Sequence, residues 1–437
     1  FGSSHFGSSH FGSSHEADYR TTTRRCRPPV LEMAFHRCGL VASLVCACVW
    51  AAPPSAQRPE DEVNLVQAAS RLKVHAAYQT RENRAVPTLI VDLYAEPELR
   101  WRNVTRYYKD LGVSKAWENL SAVPANFSKL LSTISFDEEY VREMKGYLSD
   151  LGFPLSSHLD IIKLQSVGYE VLPPPTYNAT TGCSGLLAAM PNGTVVHGRN
   201  LDYVGIKAMV NGTMFYIPDM TAEGIFMRGG KPLYTSIILP GDIGIHTGMR
   251  FGGWSFEQNT RVHSADDAVW YGMHHSDSGG FGLGVRKIME TTPDFETAVE
   301  KLYNLNLMAP SYFIVAGSQP YEGAVITMDV GSTHEASTPL VTRLSDSTGG
   351  IQLKHGKAFA DWKIIQTNDD QNKPPYDRRR PWEEFVLSRS TQDMVTPDWV
   401  FHNMLSKSLY QPTTVLTSVY VPATGYHKTV THPENGH

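Results

Sequence analysis

Cys183-Ser-Gly-Leu-Leu-Ala-Ala-Met-Pro-Asn-Gly-Thr-Val-Val-His-Gly-Arg-Asn-Leu-Asp202 is the stretch on which the fold turns. Residues 183–190 are apolar and read as a strand, and Thr194-Val-Val-His-Gly-Arg-Asn200 reads as its return. Between them, Pro191-Asn-Gly193 is a hairpin turn, because Asn-Gly accepts the positive φ such turns need. Folding back puts Arg199, sixteen residues after the cysteine, near the start of the first strand, with Asp202 three residues further on. A permanent positive charge there favours a thiolate, and Asp202 can orient the arginine or hold an amine. On the hairpin alone, an ordinary surface Arg–Asp pair is the better reading.

Cysteine usage sharpens it. The chain has Cys26, Cys38, Cys46, Cys48 and Cys183, and the first four lie within or before an apolar leader. FGSSH occurs three times in residues 1–15, so 1–32 reads as an expression scar or a mis-called upstream segment. Residues 33–56 then have a signal-peptide layout, with Arg37 ahead of the apolar run 38–52 and Pro53-Pro-Ser-Ala-Gln57 after it. That run is too short to span a bilayer comfortably; an uncleaved anchor is the alternative. Six sequons, at Asn103, Asn119, Asn126, Asn178, Asn192 and Asn211, agree with export. The mature chain then keeps one cysteine, which makes no internal disulfide and is either a small buried apolar group or a reactive thiol.

The 437 residues, 41% hydrophobic, suffice for one large core or two domains. Net charge is −5 with no basic stripe, so no nucleic-acid partner is expected. A helical stripe runs over 60–85, Pro87–Leu93 reads as a strand, and 137–151 and 156–167 read as helices with Ser156 capping the second. A loop rich in proline spans 172–182, further strands fall near 213–217, 233–239, 312–316 and 324–328, and 293–307 is an amphipathic helix. Strands and helices come in blocks, which indicates α+β with a largely antiparallel sheet.

Cys183…His197-Gly-Arg-Asn-Leu-Asp-Tyr203 resembles the nucleophile hairpin of the N-acylethanolamine-hydrolysing acid amidase and acid ceramidase family, and more distantly that of the choloylglycine hydrolases. Other segments are similar to that family in order: Pro97-Glu-Leu-Arg-Trp101 to its N-terminal strand region, Trp254-Ser-Phe-Glu-Gln-Asn-Thr-Arg261 to the stretch after the hairpin, and Gln366-Thr-Asn368 with Tyr376-Asp-Arg-Arg379 to its second active-site segment. Four features depart from the pattern: the Pro173-Pro-Pro175 loop before Cys183 reads as an insertion, the mature chain cannot form the disulfides the family carries, and two motifs differ. Ser184-Gly185 stands where the family has Thr-Ser, and the aromatics of its Asn-Tyr-Asp-x-Trp are absent from Asn368-Asp-Asp-Gln-Asn372.

The resemblance implies an N-terminal-nucleophile hydrolase, an αββα sandwich with antiparallel sheets. It implies self-cleavage between Gly182 and Cys183, giving a helical α-subunit (57–182) and a catalytic β-subunit (183–437) held as an αβ heterodimer. Cys183 would be the nucleophile, Asp202 would hold its new α-amine, and Arg199 would support the thiolate or the substrate carbonyl. Asn259 and Asn368 would present amides to the oxyanion, and Arg378 would stand near the site. The substrate would be a lipid amide, either an N-acylethanolamine or ceramide, met at a membrane surface in transient contact, in the lysosome or outside the cell. The runs Gly198–Tyr203 and Pro97–Trp101 lean toward the ethanolamide enzyme. No cofactor and no metal are expected: His274-His275 matches no ligand spacing, and no Gly-x-Ser-x-Gly elbow occurs. A secreted lipid-binding glycoprotein that kept the fold without the activity is the competing expectation.

Overall fold

The structure is a computed structural model that describes residues 84–116, 123–171, 182–203, 207–210, 212–261, 265–331, 341–346, 352–354, 357–359, 361–370 and 379–433. The expected signal peptide, the 60–85 stripe and most of the loop before Cys183 lie outside these. In chain order the strands are β1 (Arg84–Ala85), β2 (Thr88–Asp92), β3 (Ser184–Ala189), β4 (Val195–Asp202), β5 (Lys207–Val210), β6 (Thr213–Tyr216), β7 (Ala222–Arg228), β8 (Lys231–Ile238), β9 (Thr247–Arg250), β10 (Trp254–Thr260), β11 (Ser311–Gly317), β12 (Gly323–Met328), β13 (Val341–Arg343), β14 (Gln352–Lys354), β15 (Lys357–Phe359), β16 (Lys363–Gln366), β17 (Thr414–Val421) and β18 (Tyr426–Thr431).

Two sheets dominate. One has the order β1-β18-β17-β4-β3-β16, the other β14-β15-β13-β12-β11-β10-β9-β8-β7-β2. Pairing is antiparallel except where β2 runs parallel to β7 and β13 to β15. The two-residue period of β3 shows how the sheets stack. Leu186 and Ala188 pack with Val400, Phe401 and Met404 of the helix Pro397–Met404. Leu187 and Ala189 pack on the other side, against Tyr312, Ile314 and Val325 of the second sheet. Both faces of β3 are buried, so the strand is apolar throughout rather than alternating. Beyond the second sheet lie the helices Phe281–Thr291 and Phe295–Tyr303, against β8, β11 and β12. The layers are helix, sheet, sheet, helix, the α+β sandwich expected.

The segment before Cys183 does more than supply helices: β1 and β2 sit at an edge of each sheet. Pro97-Glu-Leu-Arg-Trp101, expected in a strand region, instead forms a short turn of 3-10 helix over Pro97–Leu99 that leads into the helix Arg102–Leu111. Proline at the first position and a following acidic residue favour a helical start over a strand. Asp137 caps Glu138–Leu151, its side chain accepting from the Glu139 amide. The next helix runs Leu155–Val171, so Ser156 lies within its first turn rather than capping it. Its last turns carry Tyr169 and Glu170 inward. A bidentate ion pair ties this helical layer down, with Arg286 Nη1 and Nη2 at 2.6 and 2.8 Å from the two oxygens of buried Glu143. No described helix is long and apolar enough to cross a membrane.

Candidate active site

The hairpin forms as its sequence demands. Met190 N donates to Thr194 O at 2.8 Å across the turn, and Gly193 takes φ 84°. Register then sets Gly185 opposite Arg199 and Ser184 opposite Asn200. Cys183 and Arg199 are both buried, at 1% and 0% exposure. Arg199 Nη2 lies 3.6 Å from Cys183 Sγ. Its Nη1 donates to Gln258 O and to Asn259 Oδ1, each at 2.8 Å. The guanidinium therefore spans the two sheets, and its fixed geometry aims one nitrogen at the sulfur.

Asp202 ends β4. Its carboxylate accepts from Thr414 Oγ1 at 2.5 Å, and its backbone carbonyl lies 3.9 Å from Sγ. Asn259, expected to face an oxyanion, does other work: its Oδ1 takes the Arg199 hydrogen bond and its Nδ2 donates to Gln366 O at 3.0 Å. Burial in the middle of β10 leaves that amide fixing the arginine. Asn368 lies just past β16, and its Nδ2 donates to Thr260 O at 2.7 Å. Its Oδ1 stands 2.0 Å from where a Cβ on Gly182 would be, so the amide rests against the residue ahead of the nucleophile. Arg378 lies outside the described residues. Its neighbour Arg379 is buried and reaches the Asp369 and Asp370 carbonyls at 3.4 and 3.3 Å, which fixes the turn after Asn368.

Two residues escaped the sequence reading. Tyr169, from the helix before the loop, brings its hydroxyl to 4.0 Å from Cys183 Sγ and hydrogen-bonds Thr260 Oγ1. Glu257, fully buried on β10, lies 3.6 Å from Arg199 Nη1. Glu257 lay within the quoted Trp254–Arg261 run and Tyr169 just past the expected helix 156–167, and no local spacing marks either.

Two effects oppose each other at the sulfur. Burial pushes the Cys183 thiol up, and the Arg199 charge beside it opposes that rise without cancelling it. Burial also works against the Arg199 charge, yet Cys183 and Glu257 outweigh it and hold the guanidinium above its ordinary value. A cavity of about 240 Å³, lined by Phe136, Val167, Phe281 and Leu307 with Asp137 and Lys287 at its edge, holds none of these site residues in its lining. Phe281 also meets the Tyr169 ring edge-on at 5.7 Å. Away from the site, His274 and His275 stack on Trp270 and Tyr271. Asn103, Asn126 and Asn192 are exposed, while Asn119, Asn178 and Asn211 lie outside the described residues.

No family profile matches the chain. Acid ceramidase of Bos taurus is 27% identical over 296 residues, which cover 65% of this chain and 67% of that protein. N-acylethanolamine-hydrolyzing acid amidase of Rattus norvegicus is 27% identical over 301 residues, covering 66% and 75%. Among solved structures, the Caenorhabditis elegans ortholog of that amidase is similar at TM-score 0.45 and 22% identity, covering 56% of this chain and 98% of that one. The sequence likeness runs over about two thirds of the chain, and the acid ceramidases and N-acylethanolamine-hydrolysing acid amidases are its homologues at 27% identity.

Proposed function

We propose that this protein is an amide hydrolase that cuts its own chain before Cys183 and then hydrolyses fatty-acid amides, N-acylethanolamines or ceramide, through a thioester on that sulfur. One observation carries the reading: a buried thiol 3.6 Å from a fully buried arginine, with the Asn368 amide against the residue that precedes it.

In the precursor the Cys183 sulfur attacks the Gly182 carbonyl carbon. The C–N bond breaks, the nitrogen takes up a proton and becomes the Cys183 α-amine, and water hydrolyses the resulting thioester. That amine has an unperturbed value near 7.7–8.0, close enough to a thiol to accept its proton. The same sulfur then attacks a substrate amide. The amine of the substrate leaves with a proton, and a second water releases the fatty acid. Asp202, whose backbone carbonyl already lies beside the sulfur, is placed to orient the new amine. Asn368 Nδ2 gives one proton to Thr260 O and would turn its second toward the tetrahedral oxyanion, and Arg199 would hold developing negative charge at sulfur. The sequons and leader-like segment fit a lysosomal or secreted glycoprotein that meets its lipid at a membrane surface.

Acid-treated wild type should give two bands on a reducing gel, with the larger fragment starting at Cys183, and should turn over a fluorogenic fatty amide. Cys183→Ala should stay one band without turnover. A wild type that remains uncut yet active would overturn the mechanism.

A further inference from the structure

Glu257 belongs to no part of the chemistry above, yet it is among the most completely buried acids in the molecule. It projects from β10 into the space between the sheets. Its Oε2 lies 3.6 Å from Arg199 Nη1 and 3.6 Å from His197 Nε2. Glu257, Arg199 and His197 are each 0% exposed. Neither carboxylate oxygen accepts a hydrogen bond from a described residue. The carboxylate occupies a space made for it, since a Cβ on Gly185, the residue opposite Arg199, would lie 1.7 Å from Glu257 Oε1. His197 is turned by Ser255, whose Oγ lies 2.8 Å from its Nδ1.

An isolated buried carboxylate is strongly unfavourable, so its retention depends on the cation beside it. That cation is the one that faces the nucleophile. The guanidinium stands 3.6 Å from the sulfur on one nitrogen and 3.6 Å from the carboxylate on the other. We propose that Glu257 is a positioning residue of the thiol site: it shares the Arg199 charge with Cys183, so the sulfur feels only part of that charge and stays a thiol until a base takes its proton. This rests on Cys183 being the nucleophile.

Among the described residues, the charged and titratable groups around the sulfur and the carboxylate are Arg199, Asp202 and His197 from β4, Glu257 from β10 and Tyr169 from the preceding helix. Among them Glu257 acts at one remove, through the arginine. Burial is the main cause that raises the thiol, and Asp202 and then Glu257 add to it in the same direction. Glu257→Gln preserves shape and removes that charge.

The experiment is the pH titration of thiolate ultraviolet absorbance in the full-length protein, taken as a difference against Cys183→Ala so that other cysteines cancel. Glu257→Gln should ionise at lower pH than wild type, and the acidic limb of kcat/KM should move down with it. Glu257→Asp withdraws the charge by one methylene and should titrate between the two; it also serves if the neutral variant does not fold. A merely structural role would lower the melting temperature and leave the titration unmoved. An unmoved titration in whichever variant folds overturns the proposal. Turnover by Cys183→Ala would instead overturn the nucleophile assignment, which separates the two failures.

Discussion

Gly182 takes φ 155°, and the Asn368 amide oxygen occupies the place a side chain would need. The bond expected to break is therefore held between a residue that tolerates close approach and an amide that crowds it. Gly182→Ala forces Asn368 or the Gly182 carbonyl to move. Self-cleavage should slow at least tenfold, about 1.4 kcal/mol on the barrier, while the fold survives. A time course on reducing gels checks it, and cutting at the wild-type rate would show that this contact has no part in the reaction. At this scale the sequence was informative where one hairpin fixed the geometry: Cys183, Arg199 and Asp202 are brought together by register alone. The role of Asn259 was misread because a buried amide takes the nearest strong donor, and that donor is Arg199. Tyr169 and Glu257 arrive from separate elements, and their approach to the sulfur is a property of tertiary packing.

The hairpin itself is the element on which the site depends. Gly193 has φ 84°, and a Cβ there would come within 2.6 Å of Pro320 Cβ and 3.0 Å of the Tyr321 ring. Tyr321 N also donates to Gly193 O at 2.8 Å, which pins the turn to the second sheet. Gly193→Val should cost about 1–3 kcal/mol from backbone strain, read as a lower melting temperature in calorimetry. It should also weaken turnover, because a slipped turn moves Arg199 off the sulfur. A melting temperature unchanged from wild type would mean the turn is not strained by a side chain. Strands with both faces buried were legible as short apolar runs bounded by turn residues, and β8, β11 and β12 fall where expected. Helices were harder. Leu155–Val171 is buried on several sides, so its apolar stripe gives no clean period and its last turn was missed. The helix Pro397–Met404 covers the outer face of the first sheet, a pairing visible only once the sheet exists.

At the scale of the whole molecule, two of the buried described groups bias the response to pH in opposite directions. Burial pushes Glu170 up to about 8, although the Phe281 amide donating to it at 2.5 Å opposes the rise. Its folded value exceeds its unfolded one, so the stability it contributes is complete below about 4.5 and is lost as pH climbs through about 8. Burial pulls His432 down to about 4 from an ordinary 6.5, so its contribution is complete above that ordinary value and is lost as pH falls through about 4. Between the two ordinary values they oppose each other; above 6.5 only Glu170 acts. Stability should fall from near-neutral to mildly alkaline pH, by on the order of 1.4 kcal/mol per unit. Glu170→Gln should flatten that alkaline decline in a series of thermal melts and, between about 4.5 and 6.5, leave the His432 rise unopposed. A decline of the same slope in the variant would assign the effect elsewhere.

Strands β1 and β2 precede Cys183 in the chain, yet each is hydrogen-bonded into a sheet whose other members follow it. Scission after Gly182 would therefore release nothing. The upstream piece would stay zipped to its former continuation along both margins, with the Tyr169 hydroxyl still beside the sulfur, and the severed protein would keep its own first half as a permanent wall.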